Sequence, residues 1–122
     1  MKQWKLLLVD DEEEFASTLA ERLRLRGVDV RTVFRGEDAL PAIREERPDL
    51  VLLDVLMPGV GGMELLRRLR IECPSLPVIL LTGQGISEEE LRIGALHGAV
   101  FLMKPLSIDE LMKTIGGILD TG

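Results

Sequence analysis

Leu6-Leu7-Leu8-Val9-Asp10-Asp11 and Leu50-Val51-Leu52-Leu53-Asp54 share one plan, a short and wholly apolar run that stops at a carboxylate. Two further runs repeat it with other endings: Val78-Ile79-Leu80-Leu81 stops at Thr82, and Val100-Phe101-Leu102-Met103 at Lys104-Pro105. Apolar runs this short, set between helical patterns, read as strands of a parallel sheet covered on both faces. Parallel strands share a direction, so their carboxyl ends line one edge, which is where open α/β sheets bind ligands. Three carboxylates, a hydroxyl and an ammonium therefore converge on one small patch.

Outward from these runs, strand and helix patterns alternate five times. Strands are expected near 5–9, 28–34, 49–54, 77–82 and 100–104, and helices near 13–26, 37–46, 62–73, 87–97 and 107–119. The first helix places Phe15, Ala16, Leu19, Ala20 and Leu23 on one face, and Gly27 is a natural stop. Ser107-Ile108-Asp109-Glu110 has capping-box spacing and opens the last helix. Pro41 is harmless in the first turn of the second helix and disruptive deeper. The fourth helix carries a weaker apolar stripe than its neighbours, as a mobile signalling helix or merely a short one would. Such alternation implies right-handed crossovers and a three-layer α/β sandwich. Val28 to Val33 alternates apolar and polar residues like an edge strand, whereas the first, third and fourth runs are apolar throughout and so central. Both facts favour a five-stranded parallel sheet of order 2-1-3-4-5, with its switch point between the strands that end at Asp10-Asp11 and Asp54.

The 122 residues suit a single domain spanning 1–122, and 46% hydrophobic content is ordinary for a globular protein. No apolar stretch approaches the roughly 20 residues of a membrane span, and Met1 to Lys5 carries no signal-peptide pattern. Cys73 is the only cysteine, which excludes an internal disulfide and suits a reducing, cytoplasmic setting. It reads as a small apolar filler. A net charge of −6 argues against direct nucleic-acid binding by this domain.

Asp10, Asp11 and Asp54 would repel one another at close range unless a cation intervened. Mg²⁺ suits such a site, since it takes few carboxylates, keeps several waters and accepts phosphate oxygens. With Lys104 nearby the patch fits a transferring phosphoryl group, for which positioning and charge neutralisation dominate. An Asp carboxylate is then a candidate nucleophile that forms an acyl phosphate, and Thr82 offers a hydroxyl to a phosphoryl oxygen. Each residue alone has a plainer reading. Asp10 to Glu14 could serve a helix dipole, Asp54 a turn, Thr82 a strand end and Lys104 a solvated surface. Their convergence on one edge argues against four coincidences.

With these residues in hand, the chain resembles a response-regulator receiver domain of two-component signalling over residues 5–119. The acidic pair, Asp54 followed by Met57-Pro58 and Gly62, then Thr82 and Lys104-Pro105, stand at the family's usual separations. The resemblance implies a flavodoxin-like doubly wound (βα)₅ sandwich. It makes Asp54 the phosphoacceptor, taking its phosphoryl group from a histidine kinase or phosphotransfer protein. It makes Asp11 the direct Mg²⁺ ligand, with Asp10 acting largely through water and Leu56 supplying a backbone carbonyl. Lys104 pairs with the phosphoryl group, and the bond into Pro105 is often cis in the family. Thr82 and Phe101 form the switch pair, and the fourth helix, fifth strand and fifth helix form an output surface toward a downstream effector. That surface leaves room for a homodimer on phosphorylation. The chain catalyses only its own modification and is no enzyme in the turnover sense.

Some positions depart from the family's commonest pattern. Gly61 replaces a frequent aspartate, so Pro58-Gly59-Val60-Gly61-Gly62 reads as a mobile loop. Phe101 lacks the hydroxyl of the tyrosine also common there. An aspartate-based phosphohydrolase of the haloacid dehalogenase type is a rival, but its D-x-D follows the first strand, where Asp10 and Asp11 are adjacent here. A flavodoxin-like cofactor carrier would need Ser, Thr or Gly in place of Asp-Asp-Glu-Glu-Glu. An interaction module that never accepts phosphate remains a third reading. Leu56 and Gln84 flank the expected phosphate position and tune access of the hydrolytic water. Leu56→Asn is therefore expected to change the lifetime of the phosphorylated form, as followed by its decay rate beside wild type.

Overall fold

A computed structural model describes residues 3–83 and 86–120. It contains β1 (Lys5–Val9), α1 (Glu13–Leu25), β2 (Asp29–Val33), a 3₁₀ turn (Gly36–Asp38), α2 (Ala39–Glu45), β3 (Leu50–Asp54), α3 (Gly62–Glu72), β4 (Val78–Thr82), α4 (Glu88–Leu96), β5 (Val100–Met103) and α5 (Ile108–Leu119). The five strands form one parallel sheet of order β2-β1-β3-β4-β5. This is the order expected from the alternating edge strand and the apolar central runs.

Successive strand residues face opposite sides of a sheet, and that divides the core in two. Leu7, Val9, Val51, Leu53, Val78 and Leu80 pack beneath α2 and α3. Leu6, Leu8, Leu50, Leu52, Ile79 and Leu81 pack beneath α1 and α5. Every residue of β3 and β4 is buried, which is why those runs show no polar alternation. The parity carries on past the strand ends. Asp54 and Lys104 continue the rows of Leu52 and Leu102 on the α1/α5 side, while Thr82 and Phe101 belong with Leu80 on the α4 side.

Local differences from expectation have local causes. The second helical pattern splits into the 3₁₀ turn and a seven-residue α2. Pro41 lies in the first turn of α2 and has no N–H to bond the carbonyl of Glu37, so the α-helical ladder cannot begin there. Helix α4 starts with a full capping box between Ser87 and Glu90. It buries only Gly94, in keeping with its weak stripe. The glycine-rich loop, read as mobile, is tied down at several points. Val60 N donates to Glu37 Oε1 at 3.2 Å, Gly62 N to the Val55 carbonyl at 3.1 Å, and Gly36 lies flat against the Val60 backbone.

Gly62 fixes the approach of α3 to the end of β3. A Cβ there would lie 2.7 Å from Val55 Cα and inside contact distance of the Asp54 carbonyl oxygen, both backbone atoms that cannot swing away. A methyl group at Gly117, on α5, meets nothing within 4 Å. Gly62→Ala is thus expected to destabilise the domain by about 2–3 kcal/mol through overpacking. Gly117→Ala should stabilise it by about 0.5–1 kcal/mol through helix propensity. Urea unfolding of the two variants beside wild type measures both.

Candidate functional site

The carboxyl edge of the sheet brings together residues far apart in sequence. Asp10 leaves β1 while still in the sheet, its N–H donating to the Val33 carbonyl at 3.2 Å, and its side chain is 0% exposed. Asp54 ends β3 and is 4% exposed. Lys104 follows β5, and its backbone N–H bonds the Thr82 carbonyl at 2.8 Å, which fastens it to the end of β4. From there its ammonium reaches across to Asp10 Oδ2 at 3.0 Å, Glu12 Oε1 at 3.0 Å and Asp54 Oδ1 at 3.5 Å. The Phe15 ring lies below it, with Nζ 4.4 Å from the ring centre, a cation–π distance. The peptide bond from Lys104 into Pro105 is cis.

Two of these participants escaped the sequence reading. Glu12 appeared only as part of an acidic helix start, and Phe15 only as a core residue of α1. The signal for Glu12 lay in its position: it is the residue preceding the first turn of α1, where the chain turns back over the sheet edge. Its N–H donates to Asp10 Oδ1 at 3.0 Å, which aims its side chain at the same edge.

Asp11 is exposed and stands outside the tightest cluster. Among the described residues, one carboxylate oxygen each from Asp10, Glu12 and Asp54 lie within 4.8 Å of one another. Such an all-oxygen, mixed buried and exposed donor set fits a hard divalent cation. Leu56 is 57% exposed beside it. Thr82 is buried, and its hydroxyl donates to the Gly83 carbonyl at 3.2 Å. Phe101 lays its ring across Gly94, with Leu80 beside it. Gln84 lies outside the described residues.

Electrostatics follow from this crowding. Burial, and next the charge of Asp10, push the Asp54 carboxyl up to about 6, with Asp11 adding to the rise and Lys104 opposing it. Burial alone would lower the Lys104 pKa, but its bonds to Asp10 and Glu12 and the nearby carboxylate charges outweigh that and raise it. The lysine is therefore a fixed positive charge at neutral pH.

A raised Asp54 pKa has a definite sign for stability. Between its ordinary value of 3.8 and about 6 the folded state holds a proton that the unfolded chain has lost. Stability attached to this group is present at low pH and falls as pH rises through that window. Asp54→Asn, which cannot ionise, is expected to melt about 5 °C or more above wild type at pH 7.5 in metal-free buffer. The gap should narrow at pH 5, as thermal unfolding at the two pH values will measure.

Comparison with known proteins agrees with this geometry. A family profile described as "Response regulator receiver domain" matches residues 6–116. The chain is 39% identical over 117 residues to the phosphate regulon transcriptional regulatory protein PhoB of Rhizobium meliloti, covering 94% of this chain and 52% of that protein. It spans about half the length of the curated relatives it matches. The crystal structure of the receiver domain of NtrX from Brucella abortus superposes with a TM-score of 0.87 at 33% identity, covering 96% of this chain and 99% of that one. Vibrio cholerae chemotaxis protein CheY4 gives 0.88 at 29% identity, covering 97% and 100%. On its strand order, on the residues gathered at its sheet edge and on these likenesses, the chain belongs to the response-regulator receiver domains of two-component systems.

Proposed function

We propose that this domain receives a phosphoryl group on Asp54 from a histidine kinase or phosphotransfer protein, and that the modification changes a protein-binding surface. The single observation that carries this reading is the Lys104 ammonium, held 3.5 Å from a buried Asp54 oxygen at the carboxyl edge of the sheet. Phosphoryl transfer turns this buried carboxylate into a mixed anhydride and moves a larger negative charge onto phosphoryl oxygens, which Lys104 is placed to neutralise.

The transfer balances simply. An Asp54 Oδ attacks phosphorus on the phosphohistidine, the P–O bond forms as the P–N bond breaks, and the electron pair remains on the imidazole nitrogen. Lys104 neutralises charge on the phosphoryl oxygens, and Thr82 Oγ1, released from the Gly83 carbonyl, supplies a hydrogen bond to one of them. Asp10, Asp11 and Asp54, with the Leu56 carbonyl, would hold Mg²⁺, and Glu12 lies close enough to join the donors. When bound, Mg²⁺ supplies a positive charge that offsets repulsion between the donor phosphate and the acids.

Withdrawal of the Thr82 hydroxyl opens space beside the Phe101 ring, and a ring that shifts displaces the lightly anchored α4. The output surface in this reading is α4, β5 and α5, where Leu91, Leu96, Val100 and Met103 are exposed. Phosphorylation would favour one of two arrangements that already exchange. The half-length coverage of transcriptional regulatory relatives supports an effector as the downstream partner of this receiver unit, residues 1–122. The absence of direct nucleic-acid contact by this domain fits the net charge of −6, and pairing of two copies through the same face belongs to the same reading. A cytoplasmic setting fits its free, buried Cys73.

A small phosphodonor with MgCl₂ is expected to add one phosphoryl group per chain, read as a single mass increment. Asp54→Asn should abolish it, and chelation of Mg²⁺ should suppress it by tenfold or more. A retained increment in Asp54→Asn would overturn the assignment.

A further inference from the structure

The Lys104 ammonium is shared unequally among three carboxylates, at 3.0 Å from Asp10 and Glu12 and 3.5 Å from Asp54. The ammonium has three N–H groups. Asp10 and Glu12 take two of them at 3.0 Å, while Asp54, at 3.5 Å, lies beyond the range of a strong charge-assisted bond. The third N–H is left for Asp54, and closing on phosphoryl oxygens there draws the ammonium off its present position, so one of the two short bonds must lengthen.

The two partners are unequal. The Asp10 side chain is 0% exposed, and its other oxygen is already committed to the Glu12 N–H. Stripping the lysine from it would leave a buried, poorly compensated charge. The Glu12 side chain is 64% exposed, and water replaces the lysine there with little loss. Glu12 therefore yields. Its backbone is placed firmly, because its N–H bonds Asp10 and its carbonyl accepts the Ala16 N–H at 2.9 Å.

We propose that Glu12 is a positioning residue, an exposed latch that competes with the phosphoryl group for Lys104 and so restrains phosphorylation of Asp54. This rests on the reading of Asp54 as phosphoacceptor. The plainer role for Glu12, an acidic residue that favours the α1 macrodipole, is shared with Glu13 and Glu14. Glu14 thus provides a matched control that removes one charge from the same turn.

The test compares wild type, Glu12→Gln and Glu14→Gln as full chains, with two readouts. One is the initial rate of phosphorylation by acetyl phosphate at saturating MgCl₂. The other, independent of phosphorylation, is the rate at which an amine-acylating reagent modifies Lys104, followed by peptide mass spectrometry without phosphodonor. Glu12→Gln is expected to raise both by roughly threefold to fivefold, the scale of an exposed ion pair, while Glu14→Gln stays within twofold of wild type. In a Lys104→Met background, Glu12→Gln should no longer change the phosphorylation rate.

Unchanged Lys104 reactivity in Glu12→Gln would overturn the latch, whatever the phosphorylation data. Equal gains from Glu12→Gln and Glu14→Gln would overturn it as well, since general charge would then suffice. A slower Glu12→Gln whose half-saturating Mg²⁺ concentration rises about tenfold would assign Glu12 to the metal and overturn it too. Faster Lys104 acylation in Glu12→Gln, in a protein that never takes up phosphate, would uphold the contact and sink the reading of Asp54 instead.

Discussion

One ammonium keeps the sheet edge together. Asp10 and Asp54 are buried side by side, and without a positive charge between them the edge would have to take up protons or open to water. Lys104 supplies that charge from the far side of β4, tied by its backbone to the Thr82 carbonyl and resting over the Phe15 ring. The same group is thus a structural counter-ion and the most direct electrostatic handle on Asp54. A change in charge at Asp54 necessarily redistributes the bonds of Lys104.

The frame around this group is densely packed beside the acids and lightly packed at α4. β1, β3 and β4 bring their leucines and isoleucines into two closed apolar layers, and Gly62 lets α3 press against the backbone beside Asp54. Positions near this part of the core therefore transmit small displacements instead of absorbing them. On the other side, α4 buries one glycine, on which the Phe101 ring rests, and its exposed Leu91 and Leu96 make no core layer. Arg70 reaches the end of this helix through the His97 carbonyl at 2.5 Å. A helix held by so few groups opens at lower free energy than its neighbours. Strand parity places Asp54 on one face of the sheet and Thr82 and Phe101 on the other.

Membership of the receiver family adds a scale to this picture. The curated relatives it matches are regulators of about twice this length. A domain of net charge −6 has little attraction for phosphate backbones by itself.

The amino-acid order alone determined the layer architecture, the strand order and four of the groups at the sheet edge. The reason is short-range and periodic: each apolar run needs two covered faces, the polar residue ending it must lie at the strand's carboxyl end, and parallel strands align those ends. The shortened α2 was left open, because Pro41 is harmless in a first turn and disruptive only deeper. The exposed Asp11, the recruitment of Glu12 and the cradle of Phe15 beneath Lys104 were decided only in three dimensions. In a run such as Asp10 to Glu14 every residue carries the same charge, so composition cannot rank them. Which one meets the lysine depends on the turn from β1 into α1 and on the direction from which β5 delivers its ammonium. The anchoring of the glycine-rich loop has the same origin, since its partner Glu37 stands in a turn that no local pattern links to Val60.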